Sequence, residues 1–334
     1  MPIELDDLLE NYSSAVQEGK GALFIGAGMS RSRGFVDWKG LIRPYARQVG
    51  LDVEKETDLV AIAQYYLNSK NRERSFLNQA LIEEFDRPCR GRNHQRIARL
   101  PISTIWTTNY DQLIEEGFRK TGKRLDVKLR DKDIGFSRWR CDAVLYKMHG
   151  DISQPDKVII SKEDYEIYAR THPVFQSKLT TDLLEKSFLF LGLSFDDPNL
   201  NYTLGHLCSL VENNKRPHYA VIRKVRRKVK YKWNQEREKY DCEPDELFRY
   251  RERKQELRVD DLQRYGIDTF LFDNEKEVPW ILGLLRRRIR IRTSIRKLIQ
   301  ELHKKYPALS EPEVKDIAYK AFGFDIFNKP SSSK

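Results

Sequence analysis

The stretch GALFIGAGMSRSRGFVDW, residues 21–38, sets a glycine-rich turn directly after a short apolar run. Gly26, Ala27 and Gly28 have almost no side-chain bulk, so an anion can come close to their backbone, and a turn feeding a helix leaves N–H groups without intrahelical partners. A diphosphate suits such a turn. Gly-x-Gly also serves as a plain tight turn, and the spacing is not the dehydrogenase fingerprint: Arg31 stands where G-x-G-x-x-G needs its third glycine. Three further polar clusters could do chemistry. Thr107-Thr108-Asn109-Tyr110-Asp111 offers an amide and a carboxylate, Lys147-Met148-His149-Gly150 an imidazole, and Gly192-Leu193-Ser194 a second glycine turn with a hydroxyl. An imidazole titrates near neutrality and can accept a proton from a nucleophile. Plainer readings stand beside these: Asn109 and Asp111 can form an Asx turn that caps a helix, and His149 can bond the backbone of a turn.

The elements that must position these clusters are apolar runs: ALFIG at 22–26, ISTIWT at 102–107, AVLYKM at 143–148, FLFLGL at 188–193, YAVI at 219–222 and IDTFLF at 267–272. Continuous apolar runs of this length mark strands buried on both faces of a parallel sheet. The intervening segments are long enough for helices, which predicts βαβ crossovers and a Rossmann-like, doubly wound α/β fold. Ligands bind such sheets beyond the carboxyl ends of the strands, where all four clusters fall. Residues 3–19 read as a helix with Leu5, Leu8, Leu9 and Tyr12 on one side. Between the first two strands, DLVAIAQYYLN (58–68), RSFLNQALIEEF (74–85) and HQRIARL (94–100) predict a helical insertion over about 40–100, lying over one edge of the sheet. His94 reads as a cap or surface residue and Trp106 as a core aromatic. After Pro279 a helix carries Leu284, Ile291, Ile295, Leu298 and Leu302 on one face, with most of Arg286–Arg288, Arg290, Arg292, Arg296 and Lys297 off it. That apolar face either packs on its own domain or is an assembly surface. The division expected is a main domain over 1–275 and a helical extension over 276–334 ending in a disordered tail, NKPSSSK.

The formal net charge of the 334 residues is +11, and RKVRRKVKYK at 223–232 holds seven Lys or Arg and no acid. The run reads as a solvated helix face or loop balanced by the acids at 236–246, with direct nucleic-acid contact as the alternative. The four cysteines, Cys89, Cys141, Cys208 and Cys242, form no CxxC pair, which argues against a zinc site or redox motif and suits a reducing compartment. The N-terminus lacks a signal-peptide pattern, and there is no uncharged apolar run of about 18 residues. A soluble, cytoplasmic protein is expected, with no membrane partner.

Taken in order, the four clusters resemble the sirtuin pattern GAGxSxxxGxPDF, TxNxD, HG and GxS, over roughly residues 20–275. The resemblance implies an NAD-binding domain. In it, Gly26, Ala27, Gly28 and Ser30 hold the diphosphate and nearby ribose, Gly192 and Ser194 meet the adenosine side, Trp38 lies beside nicotinamide, and Asp37 and Thr108 complete the pocket. It also implies that Asn109 binds ribose or positions a water at its anomeric carbon, with Asp111 fixing the pocket and His149 as general base. Departures are specific. The two zinc-binding CxxC pairs of sirtuin deacylases are absent, so no zinc is expected; Thr108 replaces a glutamine; Val36 and Lys39 replace proline and arginine around Asp37; and no valine-rich peptide-binding stretch is recognisable in DISQPDKVIIS. With the acyl-lysine groove missing, water becomes the nucleophile. DLVAIAQYY, LPISTIWTTNYDQLIEE and LFLGLSFDDPNL are similar to the zinc-less sirtuin-like NADase domains of bacterial antiphage defence. That resemblance implies NAD+ as substrate, NAD depletion on infection, and control in trans: a homo-oligomer docked on a partner such as a co-encoded hexameric DNA-translocase-type ATPase. The alternatives are a module that binds NAD or ADP-ribose and grips nucleic acid through 223–232, and an NAD-dependent protein deacylase or ADP-ribosyltransferase.

Overall fold

In a computed structural model the described residues are 1–31, 34–85, 92–211, 215–227, 230–234, 239–243 and 245–323, with backbone only at 230–234 and 239–243. The strands are β1 (Gly21–Ile25), β2 (Thr104–Thr107), β3 (Leu125–Lys128), β4 (Ala143–Lys147), β5 (Ser187–Leu191), β6 (His218–Arg223), β7 (Lys230–Asn234), β8 (Lys239–Glu243) and β9 (Ile267–Phe272). The helices in chain order are α1 (Leu5–Gln17), α2 (Gly28–Arg31), α3 (Trp38–Gln48), α4 (Leu59–Ser69), α5 (Ser75–Phe85), α6 (Arg92–Ala98), α7 (Leu113–Lys120) and α8 (Asp131–Ile134). They continue with α9 (Lys162–Glu166), α10 (Tyr168–Thr171), α11 (Pro173–Glu185), α12 (Pro198–Val211), α13 (Phe248–Gln263), α14 (Glu277–Lys305) and α15 (Glu311–Lys320).

Seven strands form one sheet in the order β3-β4-β2-β1-β5-β6-β9, and every neighbouring pair is parallel. Alternation along each strand divides the core between the two faces. Leu23 and Ile25 of β1 join Ile105, Leu145 and Leu189 under α1, α6, α7 and α14, while Ala22 and Phe24 join Trp106, Tyr146 and Phe190 under α11 and α12. The expected α/β sheet is therefore present, and Trp106 is a core aromatic, fully buried with its indole N–H on Asp182 (2.9 Å). β1 lies centrally. The chain builds β2, β4 and β3 on one side of it and β5, β6 and β9 on the other, which makes a switch point at the carboxyl ends of β1, β2 and β5.

Five features differ from the sequence reading. Edge strand β3, LDVK, escapes an apolar search because two of its four residues are charged; Asp126 and Lys128 are buried and paired at 2.9 Å. The basic run ends in strand: β7 pairs antiparallel with β8, so 230–232 is neither helix face nor loop, and 228–229 lies outside the described residues. The helical insertion sits over the carboxyl ends of β2 and β4, its core of Ile42, Tyr45, Ile62 and Leu77 closing on Tyr110, Ile152 and Ile160. His94 is buried inside α6, where Gly117 of α7 lets the two helices meet. The inward stripe of α14 runs through Val278, Ile281, Leu282, Leu285, Ile289 and Ile295, so Leu284 and Ile291 are only partly covered. Val278 to Ile289 of this stripe join the core under the sheet, and Arg288 and Arg292 pair with Glu10 of α1. The tail NKPSSSK lies outside the described residues.

Candidate active site

A cavity of about 870 Å³ opens at the switch point, a volume at the upper end for small-molecule sites and sufficient for a dinucleotide. Loops after β1, β2, β4 and β5 and the end of β6 line it from the sheet side, and residues 36–39, Leu41 and residues 56–60 line it as well. Ala27, Gly28, Ser30, Asp37, Trp38, Thr108, Asn109, Asp111, His149, Gly192 and Ser194 all line this one cavity. Gly26 is buried and is not among the lining residues.

The glycines also have a packing task. The N–H of Gly26 donates to Leu191 O (2.9 Å) and that of Gly28 to Gly192 O (2.8 Å), while Met29 and Ser30 donate back to Gly26 and Ala27 at the start of α2. These four N–H groups are therefore engaged within the chain rather than free for an anion. A Cβ on Gly28 would lie 2.9 Å from Gly192 Cα, and one on Gly192, where φ is +66°, would lie 2.5 Å from Met29 N. Glycine is required because two backbones touch here, drawing the tip of β1 onto the tip of β5. Asp37 likewise serves first as the N-cap of α3, accepting from Gly40 N (2.9 Å), with Arg31 at 3.3 Å.

From β2 the chain turns sharply. Thr107 Oγ1 donates to Ile25 O (2.7 Å) and accepts from Asn109 N (3.0 Å), which fixes the loop against β1. The side chains then form a relay: Asn109 Nδ2 donates to Ser30 Oγ (3.2 Å), and Ser30 Oγ donates to Asp111 Oδ2 (2.7 Å). Asp111 Oδ1 receives the N–H of Leu113 (3.0 Å), so the Asx turn and the site are built from one residue. Asn109 is 6 % exposed, and its Oδ1 has no hydrogen-bond partner among the described residues. A buried acceptor left unmatched costs about 1–3 kcal/mol, so a donor from a ligand in the cavity would be favourably received here.

His149 is also buried, at the end of β4. Burial lowers its basicity below the ordinary histidine value, against the opposing pull of the Asp197 and Asp164 carboxylates, so the ring is neutral at pH 7 and able to accept a proton. Its Nε2 lies 3.4 Å from Asp197 Oδ2. The rings of Tyr165 and Tyr168 stand edge-on to it at 5.3 and 6.2 Å.

Beneath both loops lies Lys147, fully buried. Its ammonium donates to Asp111 O (2.6 Å), Tyr110 O (3.3 Å), Glu115 Oε1 (3.1 Å) and the Asp151 carboxylate, so it staples the Asn109 loop to the His149 loop. Burial disfavours that charge, but the Glu115, Asp151 and Asp111 carboxylates outweigh it and hold the lysine above its ordinary value. Sequence reasoning missed Lys147, Asp151, Tyr165 and Asp197. A lysine inside AVLYKM was a usable signal, since a strand buried on both faces tolerates a charge only with partners. Asp197 was masked by Pro198, because Asp-Pro at a helix start reads fully as a cap.

Residues 103–244 match the SIR2-like domain family. The chain is 41 % identical over 289 residues to "NAD(+) hydrolase ThsA" of Bacillus cereus (strain MSX-D12), an alignment covering 85 % of this chain and 58 % of that protein. It is 38 % identical over 283 residues to the protein of the same name from Enterococcus faecium, covering 84 % and 58 %. Similarity to "Defense-associated sirtuin 2" of Bacillus subtilis is lower, 24 % over 217 residues, covering 62 % of this chain and 21 % of that one. The chain thus spans just over half the length of the NAD(+) hydrolases it resembles.

Proposed function

We propose that this chain, which carries a SIR2-like domain, is an NAD+ glycohydrolase that cleaves the nicotinamide–ribose bond with water. The observation that carries the reading is that a buried neutral imidazole and a buried amide oxygen without a partner among the described residues line the same cavity. Nicotinamide is cationic in NAD+ and leaves neutral, taking the electron pair of the N-glycosidic bond. The sugar passes through an oxocarbenium-like state, water oxygen bonds to the anomeric carbon, and His149 takes the water's proton. Asn109, oriented through Ser30 and Asp111, holds the ribose or the water in line. The products are nicotinamide and ADP-ribose. The names of the aligned relatives support NAD+ as substrate and a place in antiphage defence. NAD depletion in the cytoplasm, and control by oligomerisation or by a hexameric ATPase partner, belong to the same reading and rest on the family resemblance.

The test is release of nicotinamide from NAD+, with and without DNA or infected-cell lysate. Asn109→Ala and His149→Ala are expected to lower turnover on the order of 10²-fold or more with the fold retained. Turnover untouched by both substitutions refutes the mechanism. Tight, salt-sensitive DNA binding without turnover selects the binding module instead, and transfer of label from NAD+ to protein selects ADP-ribosyl transfer.

A further inference from the structure

Asp197 stands at the start of α12 with its carboxylate held from several sides. Oδ1 accepts from Leu200 N (2.9 Å), the backbone carbonyl accepts from Asn201 N (3.0 Å), and Oδ2 accepts from the Tyr165 hydroxyl (3.1 Å). Burial, reinforced by Asp197 itself, raises Tyr165 far above the ordinary phenol range, so that hydroxyl stays protonated and keeps donating. Oδ2 also lies 3.4 Å from His149 Nε2, a buried ring atom with no hydrogen bond formed among the described residues. This is about half an ångström longer than a formed N–H···O bond, and catalytic hydrogen bonds of this kind tighten when substrate closes the site. Tyr165 and Tyr168 stand edge-on to the imidazole, which limits its rotation. The other charged or titratable groups felt at this ring are Asp164, which is itself engaged by Arg74, and His172, stacked on Tyr168.

We propose that Asp197 is the positioning residue for His149: its Oδ2 takes the Nε2 proton, fixing the Nε2–H tautomer and leaving Nδ1 as the ring atom that accepts the proton of the attacking water. A neutral imidazole has one donor and one acceptor nitrogen, and an anion beside one of them decides which is which. The catalytic consequence rests on the glycohydrolase reading above, whereas the pairing does not. The same carboxylate steadies the imidazolium formed as the water gives up its proton.

Asp197→Asn is the informative variant, because asparagine keeps the helix cap while an amide presents N–H, not a lone pair, to Nε2. In the full chain we expect kcat to fall on the order of 10²-fold with KM within about threefold. The acid limb of the kcat profile should move about one pH unit lower, since the imidazole loses an adjacent anion. Tyr165→Phe, which spares the cap and leaves the Asp197 anion in place, should lower kcat by less and leave the acid limb unmoved or slightly higher, and Asp197→Glu should restore part of kcat. Independently of turnover, ¹⁵N NMR of the histidine rings, assigned with His149→Gln, should show Nε2–H at His149 in the wild type and a changed tautomer balance in Asp197→Asn. An Nδ1–H tautomer in the wild type overturns the proposal, as does a variant with kcat within twofold and an unmoved limb. A wild type that leaves NAD+ intact even with DNA or infected-cell lysate present, yet shows the Asp197-dependent tautomer, refutes the hydrolase reading and sustains the pairing.

Discussion

Replacing Lys147 by methionine removes the ammonium that joins the two loops of the site while keeping most of the buried aliphatic volume. Four acceptors lose their donor: the carbonyls of Tyr110 and Asp111 and the carboxylates of Glu115 and Asp151. The Asp151 side chain is 3 % exposed, and a buried pair broken on one side costs about 3–5 kcal/mol. Its remaining hydrogen bonds from Gln112 (2.9 Å) and Ser153 (2.8 Å) place the expectation at the lower end, about 3 kcal/mol at pH 7. The pH dependence follows from the carboxylates. In the wild type, burial pushes Asp151 upward, but Lys147 and the Ser153 hydrogen bonds more than offset this and hold it below its ordinary value. It therefore adds stability above the unfolded value of about 3.9 and loses it as pH falls through the folded value. Without Lys147 the main downward pull on both carboxylates is lost, so Asp151 shifts upward and Glu115, which burial already raises, rises further. The Glu115 contribution is present at low pH and lost as pH rises. The gap between wild type and Lys147→Met should thus be widest at pH 7 and narrow towards pH 4. Urea unfolding at several pH values measures it, and Lys147→Met/Asp151→Asn should be less destabilised than the sum of the singles. A gap below about 1 kcal/mol, or one that does not change with pH, refutes the argument.

Gly192→Ala places a Cβ 2.5 Å from Met29 N at a φ of +66°. It should cost about 2–4 kcal/mol in urea unfolding and weaken NAD+ binding measured by calorimetry, because the tips of β1 and β5 must part. His218 is fully buried at the start of β6, where its Nδ1 accepts from Phe188 N (3.1 Å), and burial lowers its pKa to about 3. Since this ring is protonated in the unfolded chain below about 6.5 and not in the folded one, it costs about 1.4 kcal/mol of stability per pH unit on going down from 6.5 towards 3. His218→Gln should flatten the stability–pH curve in that window.

The apolar runs were enough to place six of the seven strands of the sheet, because a strand covered on both faces is predominantly apolar along its length. They were also enough to put Asn109, Asp111, His149 and Ser194 at carboxyl-terminal tips, since polar residues directly after such runs have nowhere else to go. Strand β3 was invisible for the opposite reason: its buried residues are charged and satisfied by each other. What pairs with what at long range was not legible. Asp197 lies 48 positions beyond His149, and Lys147 reaches back to Glu115 and Asp111 across a whole βαβ unit. One-dimensional spacing records local periodicity, whereas these contacts depend on which loops the crossovers bring to the same edge. The sheet order decided that the four clusters share one cavity, and the close approach of Gly28 to Gly192 decided that the glycine N–H groups are spent within the chain. Residue types settled what chemistry was available, and tertiary contact settled which atoms are left to perform it.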